Sequence, residues 1–444
     1  MRKPFASLMT GLVLLATVVV PPLGMKFGAS SMAAGLLLVV GLYAFLFAAL
    51  CAIHGPRQSL GKLAIIVTVV LTVVLAQGLL SFLINTTFNI GRFWQTYGFL
   101  IIYVLGASFL VFLAQGLPKY KADFAVKFVF YAVLLSGLAT ILGYRAQGNP
   151  SAVGFFSENS HYALSFLPFL LYMVVLSSWR KKWFFLFMGF LIGLTLQSLT
   201  LLFGVIAIAM LTLRSRQLVF FSIISISILI VALGSINTEY FMARLNPYPN
   251  ALSSELSVGS VVGEPDSVNL SMLSYQSGWE RIYVNLKDYY GIGLGFQQLG
   301  FVGSEGEIFE FLSSVGAEGM NRFDGGFVAS KFISEFGILA VMVLVAYLVY
   351  FARSVRWLHE VSMNGGETVD CRKVFFLACF VMFSIDLFIR GTGYFSSSGF
   401  LFIASLMWIG LPPVSRTPSR DNTSDHRFEP HNSAQSLIVS ILQK

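Results

Sequence analysis

The sequence predicts an all-α polytopic integral membrane protein, with about twelve transmembrane helices and one large outer loop that contains short helices. Three observations predict it. Of 444 residues, 56% are apolar and 11% are charged, against about 25% charged in an ordinary soluble domain. Phenylalanine alone occurs 43 times, more apolar surface than one soluble core of this length can hide. The apolar residues fall in long unbroken runs, as spanning helices require, and not in the short alternating segments of a membrane barrel. The same composition excludes disorder for most of the chain, and a coiled coil lacks its repeated charged positions.

A spanning helix needs about 20 mostly apolar residues. The first candidate, 5–23, follows Met-Arg-Lys. It is long for a signal-peptide core and shows no clear small-residue cleavage site, so it reads as a retained helix. Next come 31–53, 63–84, 97–115, 125–143 and 162–178. The stretch from Trp183 to Leu213 is too long for one span and short for two. Gln197 and Ser198 are its only adjacent polar pair, so the division falls there, giving 183–197 and 199–213. The remaining spans are 218–236, 327–351, 374–390 and 395–411. The chain thus divides into spans one to nine within 1–236, a loop over 237–326, spans ten to twelve within 327–411, and a disordered tail over 412–444.

Charge tests this scheme. With the N-terminus inside, 20 of the 29 Lys and Arg residues fall on the inner side or in the tail, as the positive-inside rule requires. Merging the two spans around Gln197 would reverse everything after them. The net charge of +8 therefore reflects topology, and no basic face with interleaved aromatics points to nucleic acid. The three cysteines, Cys51, Cys371 and Cys379, form no metal spacing and no disulfide framework. No inner loop is large enough for a nucleotide-binding domain, which counts against an ATP-driven pump. Paired Gly/Pro-broken spans of an inverted-repeat transporter are not visible.

The loop from Asn237 to Gly326 holds 11 of the 21 acids and four bases, too long and varied for a connector. Its Pro247–Asn269 stretch is rich in Ser, Pro and Gly and reads as irregular, with helices expected near 270–290 and 305–318. On the same outer side lie six arginines: Arg92, Arg145, Arg244, Arg281, Arg322 and Arg390. The guanidinium fork grips phosphate bidentately, and the positive-inside rule disfavours arginines there. They read as a site for a phosphorylated or pyrophosphorylated lipid, or as surface partners of the loop's acids.

Before the sixth span stands Gly-Phe-Phe-Ser-Glu-Asn-Ser-His-Tyr-Ala, 154–163. Glu158 and His161 are three apart, on one face if a helix begins here, and Ser157 is placed to cap it. The pair suits general-base work, or equally a cap with a headgroup-level histidine. In the loop, an amphipathic helix around Trp279 and Arg281 stops at Gly291, Gly293 and Gly295. Such a turn can bring backbone N–H groups to an anion, or simply end the helix. Asn321-Arg-Phe-Asp-Gly-Gly-Phe327 leads into the tenth span, with Lys331 and Glu335 following at i, i+4; Asp386 and Arg390 repeat that spacing on the eleventh. Charges within spans face the protein interior or a cavity, either for function or to neutralise each other.

Taken together, these pieces resemble the bacterial O-antigen polymerase family (Wzy-type), within the wider polymerase–ligase superfamily. The resemblance rests on Phe-Ser-Glu-Asn-Ser-His-Tyr-Ala at 156–163, on the polar cluster Thr195, Gln197, Ser198 and Thr200, on the Arg281 helix ending in Gly-Ile-Gly-Leu-Gly, and on Ser334-Glu-Phe-Gly337. The topology agrees over nearly the whole chain. The resemblance implies a metal-independent glycosyltransferase of the bacterial inner membrane, with both termini cytoplasmic and the large loop in the periplasm. Its substrate is an undecaprenyl-pyrophosphate-linked oligosaccharide repeat unit, it takes no cofactor, and a chain-length regulator protein is a partner of the class. It implies Arg145, Arg244, Arg281, Arg322 and Arg390 as pyrophosphate ligands, and Glu158, His161 and Asp324 as candidates for the base or other catalytic roles. The related ligases, which transfer glycan to lipid A core, usually carry a His-Asn pair before the span after the loop. Here Arg322 and Asp324 stand there and the loop has no histidine, which favours polymerase over ligase. A lipid-linked oligosaccharide transporter or flippase, or a non-enzymatic scaffold, is the remaining alternative.

Overall fold

The computed structural model describes residues 3–29, 31–54, 58–143, 153–233, 270–314, 316, 322–365 and 369–411. Among these residues the protein is all-helical, with fifteen helices. In order they are α1 (Lys3–Lys26), α2 (Met32–His54), α3 (Gln58–Ile84), α4 (Ile90–Gly116), α5 (Lys119–Ile141), α6 (Asn159–Leu176), α7 (Trp179–Thr195) and α8 (Leu199–Thr212). Then follow α9 (Ser215–Leu233), α10 (Leu270–Asp288), α11 (Glu307–Ser314), α12 (Val328–Phe336), α13 (Ile338–Met363), α14 (Cys371–Phe388) and α15 (Ser397–Gly410). Each expected span, as far as it is described, coincides with one helix, except 327–351, and the division at Gln197 holds. Ser198 caps α8 by accepting from the Leu201 amide, and Gln197 takes the positive φ of 52° that the tight turn needs. The expected loop helices are α10 and α11. The tail and the Pro247–Asn269 stretch lie outside the described residues.

Among the described residues, six helices are long and apolar enough to cross a membrane: α2, α3, α4, α5, α6 and α13. By length and composition this is a multi-pass membrane protein. Its exterior agrees, because Leu38, Phe45, Leu83, Val219, Ile226, Met342 and Val345 are exposed where a soluble protein would carry polar groups. Lipid is the solvent that such a surface suits.

The cross-contacts at the two ends of the bundle fix the directions of α4, α6, α7, α8, α13 and α14, and α6 to α8 alternate in succession, as do α13 and α14. At one end, the loop end, Asn159 Nδ2 of α6 donates to the Leu196 carbonyl after α7. At the far end, Arg372 Nη1 at the start of α14 donates to the Ala114, Gln115 and Leu117 carbonyls, 3.1–3.4 Å away. It thereby satisfies the orphan carbonyls at the end of α4 and places a cation where the helix dipole is negative. His359 and Ser362 of α13 make the matching bonds to the Leu211 and Thr212 carbonyls of α8.

Two helices form the centre. In α6, 78% of the most apolar window is buried, against 22–50% in the other five long helices. It packs against α5, α7, α8, α13 and α14, and α14 is its main neighbour. Buried Phe169 and Tyr172 of α6 meet Phe375 of α14 at ring-centroid separations of 5.5 and 6.2 Å.

The expected tenth span, 327–351, is not one helix. It breaks at Gly337, whose φ of 62° and ψ of −138° belong to a region that essentially only glycine occupies. The break exposes backbone groups on both sides, and the glycine-rich turn after α10 takes them up. The Leu294 and Gly295 amides donate to the Ser334 and Glu335 carbonyls at 3.0 and 2.9 Å, and the Ile338 amide donates to the Gly291 carbonyl at 2.8 Å. From α3, Gln77 Nε2 donates to the Glu335 carbonyl at 2.7 Å and Ser81 Oγ to the Gly293 carbonyl at 3.0 Å. The turn is therefore a structural clamp, and these amides are not aimed at an anion. Gly337→Ala would bring its Cβ against the Gly291 carbonyl as well as forbid the backbone angle. Its expected effect is a loss of more than about 1 kcal/mol of stability, read as a lower thermal midpoint of the solubilised protein. A midpoint equal to wild type would contradict the clamp.

Candidate functional site

The site lies where the two central helices end at the loop end. Glu158 is the residue that enters α6, with extended φ and ψ, and no side-chain cap is made there. Ser157 is not the cap; its hydroxyl lies 3.1 Å from His161 Nδ1. Because α6 starts at Asn159, Glu158 and His161 share its first turn. On the other central helix, α14 ends at Phe388 and Arg390 follows at once, its amide still donating to the Ile385 carbonyl. The antiparallel packing of α6 and α14 brings the two ends together, and Arg390 Nη2 meets Glu158 Oε2 at 3.3 Å. A carboxylate thus sits at a positive helix end and a guanidinium at a negative one, each favoured by the helix dipole.

Glu158 also accepts from Ser160 Oγ at 3.0 Å. Partial burial resists its ionisation, yet His161 and Arg390 outweigh it and hold the carboxyl below its ordinary range. Arg390, Glu158 and Asp324 are all in electrostatic range of His161. The half-exposed Asp324 faces Lys331 Nζ at 3.9 Å, while the lysine itself is buried. Glu158, His161, Asp324 and Arg390 therefore form one cluster, with Lys331 as a fifth member.

Lys331 and Glu335 do not neutralise each other by direct contact. Lys331 Nζ donates to the Phe323 carbonyl at 2.6 Å and to Gln297 Oε1 at 3.2 Å, and it lies 5.0 Å from the centre of the Tyr394 ring. Glu335 Oε1 instead accepts from the Leu299 amide at 3.2 Å. Asp386 and Arg390 also part company. Asp386 is wholly buried and accepts from the Thr392 amide at 2.9 Å and from the Thr392 and Ser398 hydroxyls. Asp386 thereby pins the 390–398 segment that carries Arg390 and Tyr394. Composition gave no hint of these partners; only the scarcity of charge within spans marked Lys331 and Asp386.

Gly325 and Gly326, with φ of 69° and 83°, let three backbones converge beside the cluster. A Cβ at Gly326 would strike the Ser274 carbonyl of α10, and the Gly326 carbonyl itself accepts from the Gly391 amide at 3.1 Å. The loop helix α10 is thus docked directly over the site.

Arg281 and Arg322 form a second group within the loop. Arg281 is buried on α10, its guanidinium 5.1 Å from the centre of the Phe309 ring of α11. Burial pushes it down to about 10, opposed by Glu305, so it stays charged at neutral pH. Arg322 Nε pairs with Glu305 Oε1 at 2.9 Å. Pairing with the loop's acids thus holds for Arg322, whereas Arg92 lies over Phe301 instead, 4.8 Å from the ring centre. Arg145 and Arg244 lie outside the described residues.

Chemically, the main cluster offers a carboxylate and an imidazole that can take a proton, two cations, and a second carboxylate. No protein-family model matches the chain, and no curated protein matches it.

The role of Asp386 is testable. Asp386→Ala leaves buried donors unpaired and is expected to destabilise the protein by about 3 kcal/mol. Asp386→Asn, which can still accept from the Thr392 amide, loses less. The thermal midpoints of both solubilised variants check this, and two wild-type values would remove the pinning role.

Proposed function

We propose that the chain is a polysaccharide polymerase. It joins polyprenyl-pyrophosphate-linked oligosaccharide repeat units of an O-antigen or related surface glycan, at the periplasmic face of a bacterial inner membrane. In this reading the twelve apolar segments cross the bilayer, with α12 and α13 counted as one, and both termini lie in the cytoplasm. The observation that carries the proposal is the cluster of Glu158, His161, Asp324 and Arg390 at the ends of the two most buried helices.

The chemistry follows from the cluster. An acceptor sugar hydroxyl attacks the anomeric carbon of the donor. The new C–O bond forms as the bond to the lipid pyrophosphate breaks. Glu158 takes the hydroxyl proton, and Arg390 with Lys331 meets the charge that develops on the leaving pyrophosphate. Arg281 and Arg322 lie further into the loop, where the first is buried and the second is paired with Glu305, so their part in holding the pyrophosphate is secondary, and His161 orients or relays the proton.

Transport is the competing reading that a specific observation touches. A discontinuous helix is a hallmark of transporters, whose broken ends line a binding cavity near the bilayer midplane. In this chain the broken ends at Gly337 are occupied by the glycine-rich turn, and the clustered charges lie at one end of the bundle. Both facts favour group transfer at a surface.

Deletion of the gene is expected to collapse the surface-glycan ladder to a single repeat unit. Arg390→Ala is expected to do the same while the protein remains in the membrane; normal long chains from this variant would remove Arg390 from the site. The pH profile of the purified enzyme separates the two candidate bases. A base works above its pKa and is lost as pH falls through it. With Glu158 as base, the acid limb lies at or below the ordinary glutamate value of about 4.3. An acid limb well above that glutamate value would assign the role to His161.

A further inference from the structure

The loop also carries a separate, open cleft of about 520 Å³, within the 300–1,000 Å³ usual for ligand pockets. One wall is backbone. Gly300, Gly303 and Gly306 line it, all with φ between 81° and 95°. No side chain would fit there, since a Cβ at Gly300 would strike the Arg322 carbonyl and one at Gly306 the Glu280 carboxylate. Beneath Gly303 lies Asn285, wholly buried, whose Oδ1 has no hydrogen-bond partner among the described residues.

The other wall is acidic. Glu305, Glu307 and Glu310 face the cleft, and the one cation among its described lining residues, Arg322, is already paired with Glu305. Glu280 caps α11 by accepting from the Glu307 and Ile308 amides, both at 2.9 Å, which fixes the first turn of α11 and the two exposed glutamates on it. Phe301 adds an aromatic edge. Among the described residues no group of three or more His, Cys, Asp or Glu is arranged to hold a metal ion. The cleft therefore presents hydrogen-bond acceptors, backbone and one ring, with a surplus of negative charge. Its complement is a ligand rich in hydroxyl or ammonium donors and poor in carboxylates. Arg322 lines it, and Asp324 of the main cluster follows two residues on, within about 7 Å along the chain.

We propose that this cleft seats the sugar rings of the acceptor glycan next to the reacting hydroxyl, and that it selects repeat units which are neutral or amino-bearing over uronic-acid ones. This deepens the polymerase reading and rests on it. Carboxylates accept charge-assisted bonds from sugar hydroxyls, while a uronate would face the like charge of Glu307 and Glu310.

The test uses the full chain in lipid nanodiscs. The probe is the oligosaccharide freed by mild acid from the producing cells' polyprenyl-linked glycan, titrated by calorimetry. Wild type binds, and Glu307→Ala/Glu310→Ala weakens binding by about tenfold or more. The isosteric Glu307→Gln/Glu310→Gln protein, which keeps the shape of α11, falls between them. Unchanged affinity in both variants, or no binding by wild type, would overturn the proposal. So would calcium chloride alone binding to wild type and not to the Ala variant, with glycan binding unaffected, because the cleft would then be a cation site. Failure of the polymerase reading shows elsewhere, as long chains persisting in the deletion strain.

Discussion

Away from water, a helix cannot break without a partner for every backbone group it frees. The break at Gly337 is where this constraint is most severe, and much of the loop end is organised to meet it. Three chain segments contribute. The turn over 291–295 supplies two amides and a carbonyl, α3 adds Gln77 and Ser81, and the side chain of Glu335 reaches on to the Leu299 amide. Gln298 extends the seam to the start of α4, exchanging both of its amide groups with the Asn89 backbone. The loop is thus tied to the bundle by directional bonds, in an order that fixes where α10, Arg281 and the cleft must lie.

A second constraint acts on the charges. The two most buried helices place their ends at the loop end, and those ends carry partial charges of opposite sign. Glu158 and Arg390 answer them and also meet each other. The same geometry leaves Glu158 and Arg390 partly open and Lys331 closed. A partly open ion pair beside a buried cation suits the proposed chemistry at a surface, with the supporting charge held in the protein.

Much of the fold was legible in the sequence, because run length alone marks an apolar helix. The division at Gln197 was legible too, since charge asymmetry on either side demanded it. The break at Gly337 was not: Phe336, Gly337 and Ile338 open the apolar run that follows Glu335, and an isolated glycine there also suits an intact spanning helix. The glycines at 291, 293 and 295 were visible as a motif, but nothing local says whether their amides serve an anion or another backbone. The site was half legible. Arg390 and Glu158 stood out because charge is scarce near spans, yet they are 232 residues apart, and only the pairing of α6 with α14 joins them. For Asp386 the i, i+4 spacing pointed to Arg390, and the turn at Thr392 and Ser398 claimed it instead.

The central claim is that the Glu158–Arg390 cluster transfers glycan from a lipid pyrophosphate. The most direct measurement supplies purified chain in nanodiscs with polyprenyl-linked repeat units and no other protein or nucleotide. The account predicts glycan of increasing length, with one polyprenyl pyrophosphate released for each linkage formed, and neither product from Glu158→Gln/Arg390→Ala. Polymer formed equally well by that double variant, or units moved across the membrane without any linkage made, would contradict it.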